Sequence, residues 1–239
     1  MILKEFRLEL NDDIKMPELF EQKGIKLGTP DVNKQESFAF RMEGRCIAGY
    51  MERMRKKRID TECWGLNIYC GENEAESIMF PGFTCHVYIS FPYEDYLNAS
   101  AIEKKAYLLD ALIRGIEKIG IPEEWDLEEI YQIRDMLIEN GYKNEWLWKK
   151  RIRRDDAAYY VSVEAVHELH EFEMYVNLYN RKKELIERRK VVTELPDEWF
   201  FYKYFGKVKW ESDTEVVIYC KDNIGRVSPM KVDFSNVID

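Results

Sequence analysis

A run of aromatic residues constrains the fold of this chain most: six of the seven residues from Trp199 to Phe205 are aromatic. In a strand, successive side chains point to opposite faces of the sheet. One face would carry Trp199, Phe201, Lys203 and Phe205, and the other Phe200, Tyr202 and Tyr204. Because both faces are aromatic, both need to be covered. We therefore predict a central strand whose first face lies in the core and whose second face is covered by a helix or a partner.

The composition is that of a well-packed protein with an acidic surface. Of the 239 residues, 46% are hydrophobic, which suffices for a large core in one domain or two. Charged residues make up 34%, and the formal net charge is -9. A chain of this charge is repelled by nucleic acid and by anionic membranes unless its basic residues cluster, and it attracts basic partners.

The beginning of the chain and its cysteines predict a cytoplasmic protein. Charges interrupt the apolar residues near the N-terminus, so no signal-peptide core forms. No apolar run approaches the roughly 18 residues of a membrane span, so we expect no membrane association. The cysteines are odd in number and form no Cys-x-x-Cys pair, which indicates reduced thiols and neither disulfides nor a zinc site. They are Cys46, Cys63, Cys70, Cys85 and Cys220.

The first part of the chain reads as an antiparallel sheet with little helix. Alternating apolar residues predict strands over Ile2–Leu10, Ser37–Met42, Glu62–Cys70 and Thr84–Phe91. A turn is expected at Asn11–Asp13 and a short helix over Pro17–Lys23. The segment Cys46–Arg58 fits a helix and a strand equally well.

The middle of the chain is predicted to be helical. Ser100 and Glu103 form a capping-box pattern, and apolar residues recur at helical spacing from Ala101 to Ile119. A second helix is expected from near Asp126 to Asn140, with Ile130, Ile133, Leu137 and Ile138 as its apolar stripe. We expect the two helices to pack as a hairpin against a sheet.

Strand patterns return in the last third and predict an antiparallel meander. Its strands are expected at Trp146–Arg153, Tyr159–Val166, Phe172–Tyr179, Glu184–Val192, Glu215–Cys220 and Met230–Phe234. The predicted fold class is α+β, with antiparallel sheets and a central helical hairpin. Residues 1–142 and 143–239 form two domains or one continuous fold.

An acidic segment and two tyrosines are the predicted partner surface. Acidic residues at a helix N-terminus offset the helix dipole, but five around Trp125 exceed what capping requires. An exposed tryptophan ringed by carboxylates suits a basic protein partner. The candidate residues are Glu123, Glu124, Trp125, Asp126, Glu128, Glu129, Tyr202 and Tyr204.

A metal site is the first alternative. On a helix, Glu164, His167, His170 and Glu171 would share a face and hold one metal. However, the histidines are three apart and the metalloprotease pattern needs four, and the flanking residues favour a strand and a surface turn. Cys85 and His86 are adjacent on a predicted strand, so they point to opposite faces and form no catalytic pair. Without a phosphate loop or a nucleophile elbow, the sequence predicts no enzyme and no cofactor.

Nucleic-acid binding is the second alternative. Basic residues cluster at Arg53–Arg58, Lys149–Arg154 and Arg188–Lys190. Folded together beside aromatic residues, they would form a positive stripe of the kind that single-strand binders use. Lysines that protect strand edges explain the same clusters, and the overall acidity argues against nucleic acid.

In general character the chain resembles the immunity proteins of bacterial toxin–antidote pairs of the polymorphic or contact-dependent kind. The features behind the resemblance are the acidic segment Glu123–Glu129, the aromatic run Trp199–Phe205, cytosolic thiols and the lack of a catalytic signature. The resemblance implies a cytoplasmic inhibitor that occludes the basic active site of a cognate toxin. It assigns no role to an individual residue.

Overall fold

The computed structural model describes residues 1–11, 30–221 and 227–238. These residues form helices, one parallel sheet and two antiparallel sheets, which is consistent with the predicted α+β class. The chain divides into two compact units, an N-terminal unit of Met1–Lys143 and a C-terminal unit of Asn144–Asp239. The helix expected over Pro17–Lys23 and most of the turn at Asn11–Asp13 lie outside the described residues.

The sheet of the N-terminal unit is parallel, so the prediction of an antiparallel sheet is wrong. Its strands β1 (Glu5–Leu10), β2 (Gly65–Gly71) and β3 (Thr84–Ser90) lie in that order and are all parallel. The predicted alternation is confirmed, because the buried residues are Phe6, Leu8, Leu10, Leu66, Ile68, Cys70, Cys85, Val87 and Ile89. Alternation identifies which face of a strand is buried but carries no information about strand direction.

Helix α1 (Pro30–Met54) connects β1 to β2, which corrects the strand predicted over Ser37–Met42. Every residue from Met42 to Tyr50 is buried, including Glu43 and Arg45. A helix that is buried all round lacks the one-sided apolar stripe by which a helix is recognised in a sequence. A long helix here also contradicts the expectation of little helix in this part of the chain.

Side chains of neighbouring helices satisfy the backbone groups along both edges of the described sheet. On β1, Glu52 accepts from the Phe6 N–H at 2.7 Å, and Arg45 donates to the Phe6 carbonyl at 2.6 Å. On β3, Arg114 donates to the Ser90 carbonyl at 3.0 Å. Lys118 donates to the Tyr88 carbonyl at 2.8 Å. These contacts occupy edge groups that otherwise pair with another strand.

Three helices follow β3: α2 (Tyr93–Asn98), α3 (Ala101–Gly120) and α4 (Glu128–Glu139). The capping box of Ser100 and Glu103 is confirmed. Helix α3 approaches β2 so closely that a Cβ at Gly115 would lie 2.5 Å from two atoms of Ile68. The two predicted helices are thus present, but their packing as a hairpin is not confirmed. None of the helices in the described residues combines the length and apolarity that crossing a membrane requires.

The C-terminal unit consists of two antiparallel sheets, as the meander pattern predicts. The first contains β4 (Glu145–Arg153), β5 (Tyr159–His167), β6 (Phe172–Asn180) and β7 (Leu185–Glu194) in sequence order. The second contains β8 (Lys207–Trp210), which the sequence did not suggest, β9 (Glu215–Tyr219) and β10 (Met230–Asp233). Both sheets contribute to one core, with Val163 and Met174 from the first and Val216 and Val232 from the second.

The aromatic run is not a strand. It forms a short helix, α5 (Glu198–Phe201), and a 3-10 turn (Tyr202–Tyr204) between the two sheets. The Asp197 side chain caps the helix by accepting from the Trp199 N–H at 2.8 Å. Tertiary packing and this cap decide the local structure, because strand preference depends strongly on context.

Candidate functional site

The acidic segment Glu123–Glu129 connects α3 to α4 in the N-terminal unit. Its tryptophan, Trp125, is half-buried and not exposed as predicted. It packs against the end of α3, where a Cβ at Gly120 would lie 3.0 Å from Trp125 Cε3. Gly120 therefore permits a close approach that anchors Trp125 to its own unit, and only part of the indole is left for a partner.

Two carboxylates of this segment bind the basic segment that follows α1. Asp126 accepts from the Lys57 ammonium at 2.8 Å. Glu129 accepts from the backbone N–H groups of Lys56 and Lys57 at 3.1 and 2.8 Å. The hydrogen bond to Asp126 raises the pKa of Lys57, and the same bond lowers the pKa of Asp126. The groove beside Trp125 is consequently lined by both charge signs, from Lys57 and Arg58 as well as from Asp126.

Glu123, Glu124, Asp126 and Glu128 are the exposed carboxylates of the predicted surface, and of these Asp126 pairs with Lys57. Tyr202 and Tyr204, which were predicted to join them, belong to the C-terminal unit.

The aromatic run separates into an inner and an outer set. Phe201 is 3% exposed and stacks on Phe172 at a centroid distance of 3.9 Å. Phe205, one helical turn later, stacks on Trp146 at 6.1 Å. Trp199, by contrast, is 82% exposed, and Phe200 is also exposed. The predicted core face is therefore wrong for Trp199 and right for Phe201 and Phe205.

The two tyrosines of the predicted surface differ. Tyr202 is 59% exposed, and the Lys221 ammonium lies 3.7 Å from its ring centroid. Tyr204 is half-buried and donates to Glu194 at 3.2 Å, while Lys203 pairs with the same carboxylate at 2.9 Å. Burial raises the pKa of Tyr204. Tyr202 is thus available to a partner, whereas Tyr204 belongs to an internal hydrogen-bond network.

The residues of the metal alternative are not brought together. His167 is buried, and its Nε2 donates to the Pro196 carbonyl at 2.9 Å. His170 lies exposed in the following turn. Glu164 lies on the opposite face of β5 and accepts from Arg188 at 3.1 Å. Within residues 1–11, 30–221 and 227–238, no group of three or more His, Cys, Asp or Glu residues is placed to hold a metal ion.

A cysteine pair that the sequence did not suggest lies in the N-terminal unit. Cys85 points inward as predicted and away from His86, and its thiol hydrogen-bonds to Cys63. This bond lowers the pKa of Cys63 to about 6, with a further contribution from Thr61, and raises the pKa of Cys85. Both side chains are buried. A buried thiolate offers no approach for a substrate, so the pair lacks the access that a nucleophile needs.

Two of the three basic clusters share one sheet, and the third lies in the other unit. Arg55, from the cluster Arg53–Arg58 in the N-terminal unit, donates to the Leu3 carbonyl at 2.5 Å and so has a structural role. Lys149–Arg154 occupies β4 and Arg188–Lys190 occupies β7, at opposite edges of the four-stranded sheet. Between them, Tyr160 of β5 and Tyr175 and Tyr179 of β6 lie on the face opposite the core. Alternation within the predicted strands indicates these faces, but the sequence does not give the register that aligns them.

Comparison with protein-family models, with curated proteins and with solved structures gives no match.

Proposed function

We propose that this protein binds another protein through an aromatic surface formed by Leu195, Trp199, Phe200 and Tyr202. The observation that carries the proposal is Trp199, whose side chain is 82% exposed at the first turn of α5. Tryptophan and tyrosine are the residue types that most often dominate binding energy in protein interfaces. An exposed apolar cluster of this kind marks an interaction site more often than chance.

Contacts within the C-terminal unit hold this surface in place. Asp197 caps α5, while Phe201 and Phe205 fix its inner side in the core. Ordering side chains and loops during binding costs free energy, so a surface that is already ordered binds more tightly. The arrangement therefore favours recognition over a merely structural role for the exposed rings.

The charges nearby favour a basic partner. Asp197 and Glu198 flank Trp199 and carry negative charge. An acidic protein attracts a basic partner over a distance and speeds association at low salt. Together with the resemblance to immunity proteins, this supports a basic toxin as the partner that the chain neutralises in the cytoplasm.

Site-specific crosslinking in cells tests the proposal. A photoreactive phenylalanine analogue placed at position 199 is expected to capture one dominant basic protein, which mass spectrometry identifies. The matched control is the same analogue at position 83, because Phe83 is also a highly exposed aromatic residue but lies in the N-terminal unit. Equal capture at both positions, or none at position 199, would overturn this surface assignment.

The captured protein, once purified, provides the quantitative test. Trp199→Ala is expected to weaken its binding by about 2 kcal/mol or more, as for an interface hot spot, while Phe83→Ala leaves affinity unchanged. If the partner is a toxin, co-expression of the wild-type chain restores growth and the Trp199→Ala variant does not. If the wild-type chain and the Trp199→Ala variant both restore growth, Trp199 is not part of the inhibitory surface.

A further inference from the structure

The outer face of the four-stranded sheet carries a regular array of polar and aromatic side chains. Val161, Val163 and Ala165 of β5 point into the core, so the residues between them point outward. Strand pairing aligns Tyr160 with Tyr179, Ser162 with Asn177, and Glu164 with Tyr175. The same register extends to β7, where Asn177 pairs with Arg188 and Tyr175 with Lys190. Two tyrosine-bearing rows thus enclose a central row of small polar residues.

Planar groups are stacked along this face. The rings of Tyr160 and Tyr179 are parallel to within 7°, with centroids 4.9 Å apart. The Arg151 guanidinium lies 4.7 Å from the Tyr160 centroid, and the Arg188 guanidinium lies 3.3 Å from that of Tyr175. The tyrosines are half-buried, so their rings remain partly accessible. An arginine–tyrosine–tyrosine stack of this kind presents flat surfaces on which another planar group packs.

The cations of the two edges are not equivalent. On β7, Arg188 pairs with Glu164 and Lys190 pairs with Glu173. On β4, Arg151 and Arg153 are exposed, and no ion pair within the described residues involves either of them. Edge protection alone explains positive charge on β4, but it does not explain why the stacked rings of Tyr160 and Tyr179 lie beside that charge.

The acidity of the chain is concentrated in the N-terminal unit. Residues 1–143 hold 19 basic and 27 acidic residues, whereas residues 144–239 hold 17 and 18. The C-terminal unit is therefore nearly neutral, and the objection that the whole chain is acidic does not apply to its local surface.

The centre of the face retains hydrogen-bonding capacity. Ser162 and Asn177 are buried, and Ser162 Oγ and Asn177 Oδ1 have no hydrogen-bond partner among the described residues. Asn177 uses its amide nitrogen to donate to Glu164 at 3.1 Å. Buried polar atoms normally find partners, so two unpartnered atoms in register mark unused hydrogen-bonding capacity at the centre of this face.

We propose that this outer face binds single-stranded nucleic acid. Bases stack on the Tyr160–Tyr179 pair, and Arg151 and Arg153 neutralise phosphates along the β4 edge. An acidic polypeptide would use the cations but would gain little from parallel, stacked rings, so the tyrosines favour nucleic acid. The proposal uses none of the residues of the aromatic surface around Trp199 and holds or fails independently of it.

Fluorescence anisotropy with a labelled oligothymidylate, and with an RNA of equal length, tests the proposal on the full chain. A probe of about 16 nucleotides spans a typical single-strand site. Arg151→Ala/Arg153→Ala is expected to weaken binding at least tenfold at low salt and to reduce the slope of log affinity against log salt by about 1.4. Tyr179→Ala is expected to weaken binding about tenfold by removing a stacking surface.

Two controls separate this site from general charge attraction. Lys182→Ala/Lys207→Ala removes two exposed cations of the same unit, one from the β6–β7 turn and one from the other sheet, and should leave affinity within twofold. Polyglutamate of equal length should compete poorly. The proposal is overturned if the wild-type protein does not bind at low salt, if both double variants lose equal affinity, or if polyglutamate competes fully while Tyr179→Ala binds normally. Circular dichroism confirms that each variant is folded.

Discussion

At the scale of single residues, Arg45 does more than its type suggests. Its guanidinium pairs with Glu52 at 2.8 Å and donates to the Phe6 carbonyl at 2.6 Å, while Glu52 accepts from the Phe6 N–H. This largely buried ion pair therefore holds both backbone groups of Phe6 on the edge strand β1. Removing Arg45 takes this partner from Glu52 and leaves the Phe6 carbonyl without its donor in a site that water reaches poorly.

Arg45→Met is accordingly expected to lower the free energy of unfolding by about 3 kcal/mol, measured by urea denaturation. Arg41→Met is the matched control. Arg41 lies on the same helix as Arg45 and pairs with Glu9 of β1, but its side chain is partly exposed. Its loss is expected to cost less than about 1 kcal/mol. Equal effects of the two substitutions would show that the contacts of Arg45 with β1 contribute no special stability.

The thiol pair of Cys63 and Cys85 predicts a pH dependence. The folded-state pKa of Cys63 is about 6, below the ordinary value of 9.0, because the Cys85 thiol donates to it. Between pH 6 and pH 9.0, Cys63 carries a proton in the unfolded chain that it lacks in the folded chain, so the free energy of unfolding rises with pH. The contribution is complete above pH 9 and is lost as the pH falls through 6.

Urea unfolding at several pH values checks this dependence. The difference in stability between the wild type and Cys63→Ser is expected to grow from pH 6 to pH 8, by at most about 1.4 kcal/mol per pH unit. Cys220→Ser changes a half-buried thiol of the other unit and controls for the effect of a cysteine substitution outside the Cys63–Cys85 pair. A difference for Cys63→Ser that does not vary with pH would mean that Cys63 keeps its proton in the folded chain.

At the scale of secondary-structure elements, α5 shows how packing overrides a local preference. In a strand, Trp199 and Phe201 would share a face, whereas in α5 one is exposed and the other lies in the core. A signal for the helix was present in the sequence, because Asp197 and Glu198 are a typical N-cap and first-turn residue. The six aromatic residues that follow favour a strand, so the strand preference outweighed the N-cap pattern in the prediction.

Alanine substitution distinguishes the two geometries. Phe201→Ala is expected to cost about 3 to 4 kcal/mol because it removes a ring from the core cluster. Trp199→Ala is expected to change stability by less than about 0.5 kcal/mol. Urea unfolding of the C-terminal unit measures both changes in the free energy of unfolding. Similar losses for the two variants would instead support the strand.

The predictability of the other elements follows the same physics. Strands β5 and β6 and helix α3 were predictable because each has one buried face, which imposes a period of two or 3.6 on the sequence. Helix α1 was not, since Met42 to Tyr50 is buried all round. The parallel pairing of β1 with β2 was also hidden, because it depends on the crossover through α1.

The candidate sites were predictable to a smaller extent. Exposure of Tyr202 agrees with the predicted surface, but the internal contacts of Trp125, Asp126 and Glu129 depend on the distant segment around Lys57. The outer face of the β4–β7 sheet requires a register across four strands. No single segment of the sequence contains that information.

At the scale of the whole molecule, the chain consists of two units with different chemistry. The N-terminal unit carries most of the negative charge and a parallel sheet, while the C-terminal unit is nearly neutral and all its sheets are antiparallel. Each unit has a buried core of its own. A unit with its own core is expected to fold alone.

Expression of residues 144–239 as a separate fragment tests this expectation. The fragment has to begin at Asn144, because this residue is buried and its carbonyl accepts from the His167 N–H at 2.9 Å. We expect a single cooperative urea transition, followed by tryptophan fluorescence and near-UV circular dichroism. A fragment of residues 158–239 is the control, since it lacks β4 and with it Trp146 and Trp148, which pack against the core. Cooperative folding of both fragments would mean that β4 is dispensable, and failure of the longer one would mean that its core is not sufficient without residues 1–143.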